Sequence, residues 1–139
     1  MTEIAKVALA ETAAGLDEFW SQRVVGQANG SLLKVAKGIG STTWHTHEDQ
    51  DEVLMVTKGT LVVQLRSGNV TLNAGELLVV PRGTEHCPRA DDEVHLLVIG
   101  RDVTSNAAGG KPDWSYQRGE RPGGGPGETA EVNEAGGAR

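Results

Sequence analysis

The sequence predicts an all-β fold, and three observations support this prediction. Apolar runs in the middle of the chain are short, they are rich in Val, Leu and Ile, and turn residues separate them every few positions. Such residues suit half-buried strands, and short strands at close spacing are typical of sandwiches and barrels. The middle region shows no sustained helical periodicity. We therefore expect a single β-barrel.

Length and charge set limits on the class of protein. A chain of 139 residues has room for one domain. The net charge of -6 and the lack of a basic run argue against nucleic acid and anionic membranes as partners. A single cysteine, Cys87, excludes an internal disulfide framework. With neither a signal-peptide pattern nor an apolar run near the ~20 residues of a membrane span, we expect a cytoplasmic protein.

The turn residues divide the chain into predicted strands. Residues 4–10 are interpreted as a first strand followed by a loop, and the alternative is a short helical turn within residues 11–20. Asn29-Gly30 is a strong hairpin signal because both residues accept positive φ. The remaining strands are predicted at residues 24–27, 32–37, 42–47, 53–57, 60–66, 70–72, 77–80 and 93–99.

The composition changes at about residue 105. Gly, Pro and charged residues dominate from there to the end, so the segment cannot bury enough apolar surface to offset its ordering entropy. We predict a barrel domain over residues 1–104 and a disordered tail over residues 105–139. Trp114 and Tyr116 are the exceptions in this tail, and they are candidates for docking onto the barrel or a neighbouring subunit.

A metal site is suggested by the segment around His45 and His47. Alternate strand residues share a face, so these two imidazoles stand roughly 6–7 Å apart along the backbone. Two histidines on a solvated strand face would explain the pair equally well. Glu52 strengthens the metal interpretation, because an unpaired carboxylate inside a barrel is costly and a metal ion would offset that cost. Asp51 competes with Glu52 for this role, whereas Glu48 and Asp49 read as solvated loop residues.

A further histidine, His86, follows the turn Pro81-Arg82-Gly83. The proline ends the strand, and the glycine lets the chain change direction sharply. By itself His86 would be interpreted as a surface loop histidine.

Taken together, the two stretches resemble the paired motifs of the cupin superfamily. The first motif is matched by His45-Thr46-His47, four residues, Glu52, six residues and Gly59. The second is matched by Gly75, five residues, Pro81-Arg82-Gly83, two residues and His86. Two positions depart from the pattern. Four residues, instead of five, separate Gly40 from His45, and Ala90 replaces an asparagine.

The resemblance implies a conical, jelly-roll-like barrel of about six to eight strands with a metal ion inside. Its ligands would be His45, His47, Glu52 and His86. Three nitrogens and one oxygen suit one divalent transition metal, and ligand type alone does not choose among Mn, Fe, Co, Ni, Cu and Zn. An octahedral ion would keep two open positions for water, substrate or dioxygen.

Small cupins include both dioxygenases and enzymes that use the metal as a Lewis acid. The motifs contain no second carboxylate to act as a fixed base, which favours a dioxygenase acting on a small molecule. The alternatives are a Lewis-acid isomerase, epimerase or cyclase, and a barrel that binds a small ligand without turnover. We also expect a homodimer that covers an open sheet edge through the N-terminal strands.

Other residues have weaker functional interpretations. His95 shares a strand face with Leu97 and Ile99, so it is interpreted as a packed histidine, and the alternative is an acid–base group near the metal. Cys87 is interpreted as a small core residue, and Trp44 as a packing residue that faces away from the site. Arg82 and Glu85 lie near the predicted barrel mouth, where they would be solvated or bind a polar substrate.

Overall fold

The computed structural model describes residues 4–103. These residues form one short helix and seven strands: α1 (Leu9–Ala14), β1 (Arg23–Ala28), β2 (Ser31–Ser41), β3 (Glu52–Lys58), β4 (Thr60–Leu65), β5 (Gly68–Asn73), β6 (Leu77–Val80) and β7 (His86–Gly100). The predicted all-β fold is therefore confirmed over this part of the chain.

The long strand β7 joins the two halves of the barrel. Strands β1, β2, β7, β3 and β6 are hydrogen-bonded in that order, while β4 pairs with β5 and β7. The first residues of β7, His86 to Arg89, pair with β4. Its later residues pair with β2 on one side and β3 on the other, always antiparallel. One strand thereby serves both walls of the barrel, and its first residue is a predicted metal ligand.

Strand β3 carries Glu52 into the barrel interior. Its burial alternates, with Glu52, Leu54 and Val56 buried and the residues between them partly exposed, as expected when alternate side chains share a face. Leu54 and Val56 belong to the main core, together with Leu61, Val63, Leu72, Val80, Ala90, Val94, Leu96 and Val98. The phase of this apolar strand therefore determines which way its first side chain points.

The predicted N-terminal strand over residues 4–10 is wrong. The structure has helix α1 over Leu9–Ala14, with the sequence LAETAA, and alanine is the best helix former. The helix is too short to show a helical period in the sequence, and tertiary packing holds it in place. Ala13 and Leu16 form a small second core with Val35 of β2.

Two other predicted boundaries differ from the structure. Strand β2 ends at Ser41, so the strand predicted over residues 42–47 is reduced to an isolated bridge between His45 and His86. The strand predicted at 93–99 begins earlier, at His86. The hairpin at Asn29-Gly30 is confirmed, since these residues have φ values of 51° and 80°.

The pairing of β2 with β7 is irregular beside the displaced motif glycine. Gly38 pairs with Val94 and Gly40 with Ala90, so one residue of β2 stands opposite three residues of β7, and the extra residues belong to β7. Gly40 has a φ of 78°, a conformation that favours glycine. The displaced glycine therefore lies where the regular pairing of β2 with β7 resumes.

The tail predicted over residues 105–139, with Trp114 and Tyr116, lies outside the described residues. Within the described part of the chain, no helix has the length and apolar character needed to cross a membrane.

Gly59 is expected to tolerate substitution far less than Gly75. Both have positive φ, 86° and 88°, but a Cβ at Gly59 would lie 2.8 Å from the carbonyl oxygen of Glu93, whereas a Cβ at Gly75 would have no atom of the described residues within 4 Å. Gly75→Ala should cost about 1–2 kcal/mol through its backbone conformation alone. Gly59→Ala should cost about 2–4 kcal/mol because backbone must also move. Urea unfolding of both variants measures the difference, and equal losses would contradict this prediction.

Candidate metal site

Three histidine side chains converge in the barrel interior. One ring nitrogen from each of His45, His47 and His86 lies within 4.8 Å of the others. We call these residues the histidine cluster. The carboxylate of Glu52 completes the group, with Oε1 lying 3.4 Å from Nε2 of His86 and Oε2 lying 3.6 Å from Nε2 of His47. The structure thus brings together all four side chains named from the sequence.

A backbone bridge aligns two members of the histidine cluster. The amide nitrogen of each of His45 and His86 lies 3.0 Å from the carbonyl oxygen of the other. Residues directly opposite each other in an antiparallel bridge project to the same face. Their ring centroids are accordingly 4.3 Å apart. The turn before β7 is attached to the third histidine, because the amide of Gly83 donates to the carbonyl oxygen of His47 at 2.8 Å.

The same two histidines are also fixed in one tautomer. Nδ1 of His45 lies 2.7 Å from the carbonyl oxygen of Thr43, and Nδ1 of His86 lies 2.8 Å from that of Thr84. A carbonyl oxygen can only accept, so each Nδ1 carries the proton and each Nε2 keeps its lone pair. Backbone carbonyls commonly orient metal-binding histidines in this way.

The donor set fits a divalent transition metal. Nε2 of His86 is buried and has no hydrogen-bond partner among the described residues, and Glu52 is only 3% exposed. Buried polar atoms left in this state are costly, and a cation between them would remove the cost. Three imidazole nitrogens and one carboxylate oxygen suit first-row metals without distinguishing among them. The cluster can therefore bind a metal ion.

The ionisation states suit this role. Burial, together with the neighbouring charges of His86 and His47, holds the pKa of His45 well below its ordinary value. Burial by itself raises the pKa of Glu52, but the positive charge that the neighbouring His47 and His86 can carry outweighs it, so that this pKa lies well below the ordinary value. His45 is therefore neutral and Glu52 anionic near neutral pH, the forms that bind metal.

Asp51 lies on the surface and has a different role. Its Oδ1 accepts a hydrogen bond from the amide of Arg82 at 2.9 Å, and its side chain is 57% exposed. Asp51 thereby fixes the turn that precedes His86, whereas Glu52 faces the histidine cluster. Glu48 and Asp49 are exposed, as expected.

His95 is a packed residue, as predicted. It is buried, and its Nε2 lies 2.8 Å from Oε2 of Glu93. The core residues of this strand, Val94 and Leu96, occupy the opposite strand phase. His95 therefore faces away from the interior that holds the histidine cluster, and it cannot serve as an acid–base group there.

The remaining candidates lie outside the cluster. Cys87 is buried beside Ser41 and Thr42, in agreement with its interpretation as a small packed residue. The guanidinium of Arg66 lies 3.7 Å from the ring centroid of Trp44, and its Nε donates to Glu85 at 3.0 Å. Glu85 therefore belongs to an exposed ion pair.

Two buried polar residues of the barrel were missed from the sequence. Gln50 is 4% exposed and Lys34 is 0% exposed. Neither residue was singled out from the sequence, in which Gln50 stands between Asp49 and Asp51 and Lys34 lies within the strand predicted over residues 32–37. The burial of Lys34 could have been predicted from the alternation of strand residues, because Lys34 shares a face of β2 with Ala36 and Gly38, which are also buried.

Comparison with known proteins identifies the family. The family described as cupin domain matches residues 31–100, which is half of the chain and contains all four converging side chains. The chain belongs to the cupin domain family. A curated relative, the uncharacterized protein YdbB of Bacillus subtilis, is 30% identical over 67 residues, covering 48% of this cupin and 59% of YdbB. The match thus spans less than two thirds of that relative.

Solved structures share the fold. A cupin-2 domain containing protein from Shewanella frigidimarina has a TM-score of 0.65 at 38% identity, covering 67% of this chain and 91% of that one. Protein NMB1881 from Neisseria meningitidis has a TM-score of 0.63 at 29% identity, with coverages of 69% and 98%. Hydroquinone 1,2-dioxygenase PnpCD shows the same fold at 19% identity, with a TM-score of 0.55 and coverages of 72% and 79%.

Proposed function

We propose that this cupin binds one divalent transition metal and acts as a small-molecule dioxygenase. The ligands are Nε2 of His45, His47 and His86 and the carboxylate of Glu52. The observation that carries the proposal is the convergence of these buried donors, with the histidine nitrogens within 4.8 Å of one another and two of the rings fixed in tautomer by carbonyls.

The protein supplies a preorganised and largely water-excluded site. These four residues would hold a redox-active metal, which would supply the Lewis-acid and electron-transfer chemistry that activates a chelating substrate and dioxygen. The carbonyls of Thr43 and Thr84 hold two rings in orientation, so little reorganisation is needed at the moment of reaction. The charge of Glu52 would partly neutralise a divalent cation held in the interior, and the remaining positive charge would suit an anionic or enolic chelating group.

Dioxygenase chemistry is favoured over Lewis-acid isomerisation because the candidate base is misplaced. Isomerases of keto acids or sugars need a positioned group that moves a proton. His95, the acid–base candidate from the sequence, faces away from the interior and contacts Glu93. The likeness to PnpCD concerns the fold alone, and it is compatible with this choice because that neighbour is itself a dioxygenase.

The proposal is tested on protein loaded with Fe(II) under anaerobic conditions. We expect about one metal ion per chain, and dioxygen uptake on addition of a catechol, a diketone or a thiol from a substrate panel. Protein without metal provides the control. Isomerisation of a keto acid or sugar without dioxygen uptake would instead favour the Lewis-acid alternative. Stabilisation by a small ligand without any turnover would favour a binding protein.

We further propose a homodimer, now paired through the β1 edge, because residues 4–10 form no strand. Strand β1 is a terminal strand in the sheet order, and exposed edges tend to be covered by a second copy. Light scattering at micromolar concentration should give twice the mass of the chain, and a monomer mass would contradict the prediction.

A further inference from the structure

The loop between His47 and Glu52 is attached to the chain that leaves β7. Gln50 lies in this loop, and its Oε1 accepts hydrogen bonds from the amides of Arg101 at 2.7 Å and of Asp102 at 3.4 Å. The Gln50 side chain is buried. One side chain thus joins the loop that spaces two proposed ligands to the segment that follows β7.

Two more contacts hold the same segment. Nη2 of Arg101 donates to the carbonyl oxygen of Asp49 at 2.7 Å, and Nζ of Lys34 donates to the carbonyl oxygen of Asp102. Lys34 lies opposite Val98 in the β2–β7 register, so it faces the barrel interior as Val98 does. The segment after β7 is therefore bonded both to the ligand loop and to the barrel wall.

The close approach of Gln50 depends on Gly100. A Cβ at this position would lie 2.5 Å from Oε1 of Gln50. Because glycine leaves this space open, the amide of Gln50 fits over the last residue of β7. The contact is therefore part of the interior packing at this end of the barrel, and Gln50 does not lie loosely on the surface.

We propose that Gln50 and Lys34 are positioning residues for the metal site. Gln50 fixes the loop that sets the distance between His47 and Glu52, and Lys34 anchors the segment on which Gln50 depends. The inference rests on the proposed function, since it assumes that these ligands bind a metal. Groups that orient metal ligands typically change metal affinity by about 10–100-fold when mutated.

The test compares Gln50→Met with Gln50→Glu in the full-length chain. Methionine keeps the length of the side chain but removes the acceptor, whereas glutamate keeps the acceptor. Affinity for Co(II) is measured by chelator competition, and the visible absorption spectrum of bound Co(II) reports coordination geometry. We expect Gln50→Met to weaken binding about 10–100-fold and change the spectrum, and Gln50→Glu to remain close to the parent.

Lys34→Met provides a second test of the positioning role, and Thr57→Val provides the control. Lys34→Met keeps an unbranched chain in the interior and removes the bond to Asp102, so it should weaken Co(II) binding about tenfold, even if Gln50→Met does not fold. Thr57→Val removes another bond between β3 and β7, from Oγ1 to the carbonyl oxygen of His95, and it should change thermal stability without changing affinity.

The outcomes separate this inference from the proposed function. If the parent binds Co(II) and both methionine variants bind it within about twofold of the parent, with unchanged spectra, the positioning role is wrong and the metal site stands. A parent that binds no Co(II) removes the proposed function, and the positioning role with it. Weakened binding by Thr57→Val to the same degree would show a general effect of lost stability, which also overturns the positioning role.

Discussion

Replacing His86 with alanine is expected to abolish stoichiometric metal binding. His86 is fully buried, and its Nε2 lies beside the other proposed donors and has no hydrogen-bond partner within residues 4–103. Its loss leaves two imidazoles and a carboxylate, together with an apolar gap where the ring stood. Loss of a direct ligand should exceed the roughly 10–100-fold effect of groups that merely orient ligands. Metal content after gel filtration, measured by elemental analysis, should therefore fall from about one per chain to a trace.

His95→Ala is the matched control for this variant. His95 is also buried on β7, and it also loses one polar contact when truncated, the 2.8 Å bond to Glu93. Both variants should lose stability, because each removes a buried ring. Only His86→Ala should lose metal, since His95 faces away from the histidine cluster. Full metal content in His86→Ala would remove His86 from the site, and equal loss in both variants would point to unfolding.

The candidate site was predictable from the sequence because its four residues follow a fixed spacing. The interval from His45 and His47 to Glu52, and the turn before His86, carry the resemblance to the cupin motifs, and the family match confirms it. The choice between Asp51 and Glu52 required the phase of β3, which the run from Glu52 to Val56 already indicates. Sequence alone could thus assign the carboxylate that faces inward.

The supporting contacts were not predictable, because they depend on backbone atoms distant in the sequence. No sequence pattern predicts that Oε1 of Gln50 accepts hydrogen bonds from the backbone amides of Arg101 and Asp102. Helix α1 was not the preferred prediction for another reason, and a helical turn within residues 11–20 was kept only as the alternative. It has six residues, which is shorter than two helical turns, so periodicity cannot distinguish it from a strand. Packing against Val35 determines its structure, and that packing exists only in the folded chain.

The metal-free protein is expected to lose stability steeply as the pH falls below neutrality. Burial holds the pKa of His45 well below 6.5 in the folded state, whereas the unfolded chain takes up the proton near the ordinary value of about 6.5. Below that pH the unfolded state binds more protons, so the free energy of unfolding decreases with acidification. Glu52 acts in the same direction, because its pKa is also lowered on folding. It favours the folded state above its unfolded pKa, and this contribution is lost at lower pH.

Urea unfolding in the presence of a chelator, between about pH 7.5 and pH 5.5, measures how the free energy of unfolding depends on the protonation of His45. One proton taken up on unfolding should give a slope approaching about 1.4 kcal/mol per pH unit. His45→Asn is the informative variant, because an amide nitrogen can donate to the carbonyl oxygen of Thr43 as Nδ1 does now, yet it does not titrate. The free energy of unfolding of this variant should therefore depend less steeply on pH than that of the parent. An unchanged slope would mean that His45 is not the group whose protonation opposes folding, and that its burial beside the other two imidazoles does not keep it neutral for metal binding.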